Sequence, residues 1–219
     1  MAKKNIDRQL NLPFGPLRNN NLFSNHWLEN RLPLEPEWTE CRSKALHLLG
    51  QLGQLWKIQK KRVEHYAEPT LEEAFIQPVF KQLGWPLLYQ TFLRGRKPDY
   101  ALFLNEIDLE TATTKDRTEP AFWDTVALVA DAKAWSVNLD RPAIVNQQRE
   151  YPPEQIEWYI AHSNKSYGIL TNGRLWRLYP RYLSSNQPRF NTFLECDLAA
   201  LLERWATAGQ WTRWTVWTE

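Results

Sequence analysis

The sequence predicts an α/β domain: a mixed β-sheet flanked by helices, with an N-terminal helical arm. Three observations predict it. The hydrophobic pattern runs helix, three strands, helix, hairpin, alternating between the helical and the strand period. The run Val126-Ala127-Leu128-Val129-Ala130 is the most apolar of the strand candidates and reads as the central one. Asn172-Gly173 between two apolar runs is the signature of a hairpin turn. At 219 residues and 43% hydrophobic content, the chain is large enough to bury a core of its own.

The elements follow in order. Residues 1–38 are rich in Asn and Pro and read as an irregular arm, whose interspersed Leu, Phe and Trp suit a segment lying against the body. Residues 39–66 form a helical segment. Leu46, Leu48, Leu49, Leu52, Leu55, Trp56 and Ile58 recur there at helical spacing, while Gly50 and Gly53 weaken it. The core, residues 67–205, opens with a helix. Thr70 and Glu73 have capping-box spacing, Pro69 stands just before, and Gly84 is the stop. Its apolar stripe is Leu71, Phe75, Ile76, Val79, Phe80 and Leu83. Strands are expected at 89–93, 100–104 and 125–132, with a basic turn at 94–98 and a polar insertion of some helical character at 105–125. A long loop covers 136–153, then a helix at 154–163. Strands at 167–171 and 174–179 are joined by a type I′ turn at Asn172-Gly173, and a strand near 190–196 and a helix at 198–205 complete the core. Residues 206–219 are a Trp-rich edge.

Composition narrows the function classes. The net charge is +2, so any nucleic-acid binding rests on local clusters at residues 57–62, 94–97 and around Arg174, Arg177 and Arg181. The two cysteines, Cys41 and Cys196, lack metal-ligand company and suit a reducing cytoplasm as buried small apolar residues. The four histidines show no zinc spacing. No signal peptide or membrane-length apolar run is visible. Twelve tryptophans, among them Trp176, Trp205, Trp211, Trp214 and Trp217, read first as packing residues and second as base-stacking platforms.

The chemistry-bearing residues stand in a fixed order. Asp99 heads one strand and Asp131 ends the central one. Lys133 follows two residues later and therefore points to the same face as Asp131. Two such carboxylates can hold a divalent cation, with the carbonyl of Ala132 as a third oxygen ligand. Lys133 would orient or deprotonate an attacking water, or stabilise a pentacoordinate phosphate. Glu68, Glu72 and Glu73 at the start of the preceding helix offer a further carboxylate. Gln155 and Tyr159 share a helix face four residues apart, from which they could contact a phosphate or position Lys133.

These residues carry a resemblance. The chain resembles the N-terminal nuclease domain of type IIG restriction–modification enzymes, in the PD-(D/E)xK nuclease superfamily. The matching residues are Phe75-Ile76-Gln77-Pro78 with Leu83-Gly84-Trp85, Lys97-Pro98-Asp99-Tyr100, Val129-Ala130-Asp131-Ala132-Lys133, Gln155 with Tyr159, and Tyr167 to Tyr179. The resemblance implies a restriction-endonuclease-like fold and a Mg²⁺-dependent phage-defence endonuclease for double-stranded DNA, in which Mn²⁺ can substitute. It maps the acidic pair onto Asp99 and Asp131, the lysine onto Lys133, and the glutamine and tyrosine onto Gln155 and Tyr159. The helix glutamate maps best onto Glu68, with Glu73 as the alternative. Asp131 stands where the family commonly has glutamate, and Ala130 where it often has glycine.

The family's enzymes continue into a methyltransferase and a target-recognition region, whose motifs are absent from this sequence. The chain therefore reads as an excised domain or a stand-alone subunit, with those regions as partners in the same or another chain. Dimerisation would serve double-strand cleavage. Two other functions fit the same residues: a catalytically silent DNA-binding or assembly module, and a nuclease for RNA or single strands.

Overall fold

A computed structural model describes residues 16–145 and 148–207. Alternating apolar residues build a seven-stranded mixed sheet in the order β1-β9-β8-β7-β4-β3-β2. The strands β2 (Leu87–Tyr89), β3 (Tyr100–Leu102) and β4 (Leu128–Ala132) form an antiparallel meander. Next to β4 lies β7 (Tyr167–Thr171), paired parallel. A parallel pair needs a crossover, and helix α6 (Pro152–Ser163) lies on the connecting segment. The strands β8 (Leu175–Pro180), β9 (Phe193–Asp197) and β1 (Leu17–Asn20) extend the sheet antiparallel.

The strand period sorts the core into two layers. Tyr100, Leu102, Ala130 and Ala132 pack with Leu52, Trp56, Leu71, Phe75 and Phe80. These come from α1 (Pro36–Gln59) and the α2 (Glu68–Leu71) to α3 (Gln77–Gln82) run, which α7 (Leu198–Thr207) joins. Ala101, Phe103, Val129 and Leu170 point to the opposite face. They meet α4 (Glu106–Thr113), α5 (Pro120–Thr125) and α6 through Ala112, Phe122, Ile156 and Ile160. A side chain at Gly168 would sit 2.6 Å from Ile160 Cγ1, so this glycine lets α6 lie directly on β7.

α2 and α3 are joined by a π-helical turn, Glu72–Ile76. Pro78 has no N–H to offer the carbonyl four residues back. The carbonyl of Ala74 instead accepts from Gln59 Nε2 at 3.2 Å.

Several expectations change. The helix begins at Glu68 on an Ala67 N-cap, with no side-chain cap, and Glu73 is exposed, so the Thr70/Glu73 capping box does not form. Pro69 lies inside the first turn, where no donor is needed. Leu83 is exposed rather than part of the stripe. The Asn172-Gly173 connection is not type I′, because only Gly173 has positive φ. The Asn172 side chain instead accepts from the N–H groups of Arg174 and Leu175. The loop at 136–153 contains a hairpin of β5 (Ala143–Val145) and β6 (Gln148–Glu150). The N-terminal arm supplies edge strand β1, and α1 runs through both glycines, with the Trp205 ring seated on Gly53. Cys41 is exposed. Trp176 packs edge-on against Phe80 in the core, while Trp211, Trp214 and Trp217 lie outside the described residues. Among the described residues, no helix is long and apolar enough to cross a membrane.

Candidate active site

The β3–β4 register pairs Tyr100 with Ala130 and Ala101 with Val129. One step further, the same register sets Asp99 opposite Asp131. Opposed residues of an antiparallel pair share a face with Cβ atoms about 5 Å apart. Two full charges at that distance repel by roughly 3 kcal/mol at an effective dielectric of 20. Asp131 is 1% exposed. Asp99 is held by its backbone: Oδ2 accepts from the N–H of Ala132 at 2.7 Å. The N–H and C=O of a strand residue leave on the same side, so the Ala132 carbonyl also faces the Asp99 flank. Burial first, and then the Asp131 charge, push the Asp99 carboxyl up to about 9.

Lys133 extends β4 by one residue beyond its end, with its N–H donating to the Thr171 carbonyl at 2.8 Å. Its Nζ lies 2.5 Å from Asp131 Oδ2, and its side chain is 13% exposed. The contact is a close ion pair. Burial works against the ammonium, but Asp131, Asp99 and Glu68 outweigh it and raise the lysine above its usual range.

From α2 and the π turn come two carboxylates. Glu68 Oε2 accepts from the N–H of Ala134 at 2.7 Å and so fixes the chain just past Lys133. Glu72 is 4% exposed and accepts from Tyr100 at 2.7 Å and more distantly from Tyr89 at 3.4 Å. Burial raises the Glu72 carboxyl, and Glu68 and Asp131 add to that rise, against the lowering effect of the Tyr100 and Tyr89 hydroxyls. The sequence offers Glu72 as one of three helix-start carboxylates, and the resemblance maps its neighbours instead; its place in the apolar stripe, three and four residues before Phe75 and Ile76, is the signal that it turns inward. Glu73, the alternative, is exposed.

α6 supplies the wall on the Asp131 face. Gln155 Nε2 donates to Tyr159 Oη at 3.1 Å, and Tyr159 Oη donates to the Lys97 carbonyl at 3.2 Å. Tyr159 is 2% exposed and Gln155 Oε1 is buried without a donor. The phenol therefore ties α6 to the segment leading into Asp99 and does not present itself to a phosphate. Burial and the Asp131 charge push it up to about 12.

The structure thus brings Asp99, Asp131, Lys133, Glu68, Gln155 and Tyr159 around one strand end. Among the described residues, no group of three or more His, Cys, Asp and Glu side chains is arranged as a metal cage. What the site offers a cation is two facing carboxylates and the Ala132 flank. The donor set fits a hard divalent cation, which needs oxygen ligands and keeps several waters. Three carboxylates, Asp131, Asp99 and Glu68, act on the one ammonium of Lys133, which lies against Asp131 Oδ2. A cavity of about 500 Å³ beside β1, lined by Arg18, Asp140, Tyr151 and Arg189 among others, includes none of these residues. Comparison with models of known families, with characterised proteins and with solved structures finds no match.

Proposed function

We propose that the chain is a metal-dependent DNA endonuclease domain, hydrolysing phosphodiesters at the Asp99–Asp131–Lys133 site. The observation that carries this reading is the β3–β4 register, which continued by one residue sets Asp99 opposite Asp131, with Lys133 held against the second carboxylate. Supporting it is the order of helix, antiparallel meander, crossover helix and parallel strand, which suits a restriction-endonuclease-like fold. Asp99, Asp131 and the Ala132 carbonyl would hold Mg²⁺ or Mn²⁺, with Glu68 beside them. When bound, the ion would supply Lewis acidity and an activated water.

The chain's own residues divide the remaining work. Lys133, an ammonium beside several carboxylates, is suited to stabilising charge on the phosphate rather than to accepting a proton. Glu68 positions the backbone after Lys133 through Ala134. Glu72 positions Tyr100, the residue after Asp99. Tyr159 and Gln155 position the chain before Asp99 through the Lys97 carbonyl. Sequence recognition falls to a methyltransferase and target-recognition region in the same or a partner chain.

The test is cleavage of supercoiled plasmid in Mg²⁺ or Mn²⁺ by the wild type and by Lys133→Arg. The arginine keeps a charge beside Asp131 but replaces a compact ammonium with a planar fork. Cleavage by the wild type and its loss in a folded Lys133→Arg support the reading. Equal cleavage by both removes Lys133 from the chemistry.

A further inference from the structure

The segment between β2 and β3 does more than connect them. Gln90 N–H donates to the Asp99 carbonyl at 2.8 Å and Thr91 N–H to Pro98 at 3.2 Å. Leu93 and Arg96 exchange two backbone hydrogen bonds of 2.9 Å, closing a two-residue turn at Arg94-Gly95. The ribbon is anchored: Leu93 is buried, and Trp123 Nε1 donates to the Phe92 carbonyl at 3.2 Å. It is a stiff hairpin whose base is Asp99 and whose tip is Arg94-Gly95.

The tip is basic and apolar at once. Arg94, Arg96 and Lys97 are exposed and make no ion pair among the described residues. Phe92 is 43% exposed, with Lys97 Nζ 4.8 Å from its ring centroid. The Arg96 guanidinium lies 4.4 Å from the centre of the Trp158 ring, on the helix that carries Gln155 and Tyr159. Arg94 has φ +47 and Gly95 φ +82. A turn with two positive φ values favours Asn-Gly or Asp-Gly. An arginine at the first position is strained and gains nothing for the turn itself.

We infer that this hairpin tip is a duplex-DNA contact element, placing Arg94, and Lys97 with Phe92, against the backbone and groove beside the scissile phosphate. The inference deepens the nuclease reading and rests on it for the choice of DNA. At about 3.3 Å per residue, the Arg94-Gly95 tip, four to five residues from Asp99, stands about 13–16 Å along the ribbon from it. That spans roughly four to five base-pair rises of 3.4 Å. The tip is thus close enough to hold the strand being cut without entering the carboxylate site. Such contacts position the duplex and carry little sequence information.

Arg94→Asn separates binding from folding, because Asn suits the left-handed position better than Arg. Affinity for a fluorescent 20-base-pair duplex is measured by anisotropy over a salt series with no divalent ion, and plasmid cleavage is measured in Mg²⁺. The expected result is an unchanged or higher Tm and a roughly five- to tenfold weaker Kd at 0.1 M salt. The slope of log K against log salt falls by about 1, and Arg94→Lys restores both. Arg94→Asn with wild-type affinity and slope overturns the inference, whether or not the wild type cleaves. Weaker binding by Arg94→Asn with no cleavage by any variant sustains the tip as a DNA contact and sinks the nuclease reading instead. Tighter binding to double-stranded RNA than to DNA overturns the choice of partner.

Discussion

Asp99→Asn should make the metal-free protein more stable at neutral pH while abolishing its activity. Asp99 faces Asp131 across the β3–β4 pair, and its carboxyl is pushed up to about 9 from an ordinary 3.8 by burial and then by that neighbour. A raised carboxyl keeps its proton to higher pH in the fold than in the unfolded chain. Its contribution is fully present below about pH 4 and is lost as pH rises through about 9. At pH 7 roughly three pH units of this window have been crossed. At 1.36 kcal/mol per unit, the loss is at most about 4 kcal/mol. For a domain of this size that is a Tm difference of up to about 16 °C. Asparagine keeps the shape, and its amide oxygen can still accept from the Ala132 N–H, but it does not titrate. The assay is thermal unfolding from pH 5 to 9 in EDTA, then with Mg²⁺. The wild type should lose stability as pH rises and regain it with Mg²⁺; Asp99→Asn should show a flatter profile and little response to the ion. A less stable Asp99→Asn, or the same pH slope in both proteins, would refute the electrostatic argument.

Other consequences follow from the same geometry. Lys133→Met should cost several kcal/mol in stability as well as cleavage, because it strips the cation from buried Asp131; chemical denaturation reads this. Unchanged stability would mean the ion pair is not structural. Tyr159→Phe should cost about 1–2 kcal/mol and lower kcat more than it raises KM, since the lost hydroxyl positions Lys97 rather than touching DNA. Gly168→Ala should lower stability by about 1–3 kcal/mol through the clash with Ile160, as read by Tm. Arg177→Ala should cost about 3–5 kcal/mol, because the guanidinium is 1% exposed and pairs with Glu195 at 2.6 Å; a change under 1 kcal/mol would show that Glu195 finds another partner.

The sheet was legible where period and burial agree. The apolar run at 126–130 announced a buried interior strand, but the strand is Leu128–Ala132 and the middle place in the sheet falls to its neighbour β7; the two-residue step from Asp131 to Lys133 indicated their common face. Gln155 and Tyr159 were legible as a shared helix face, but their role was not. Whether a phenol meets DNA or a backbone carbonyl depends on how closely α6 approaches β7, and that is set by Gly168. Local cues misled where tertiary contacts decide. Thr70 and Glu73 have capping spacing, yet the helix starts earlier, at Glu68 after the extended Ala67, with Pro69 in its first turn. The sequence offers Glu72 as one of three helix-start glutamates; only the fold shows the two tyrosine hydroxyls that meet it. Asn172-Gly173 reads as a type I′ turn, but the Asn side chain captures two backbone N–H groups and keeps φ negative.

The central claim is that Asp99 and Asp131 together support metal-dependent phosphodiester hydrolysis. Its most direct test is plasmid cleavage by the wild type and by Asp131→Asn, side by side, in Mg²⁺ and in EDTA. The account predicts nicked and linear DNA from the wild type in Mg²⁺ alone, and none from Asp131→Asn although it folds and binds the plasmid. Cleavage that persists in EDTA, or that survives in Asp131→Asn at the wild-type rate, would contradict it.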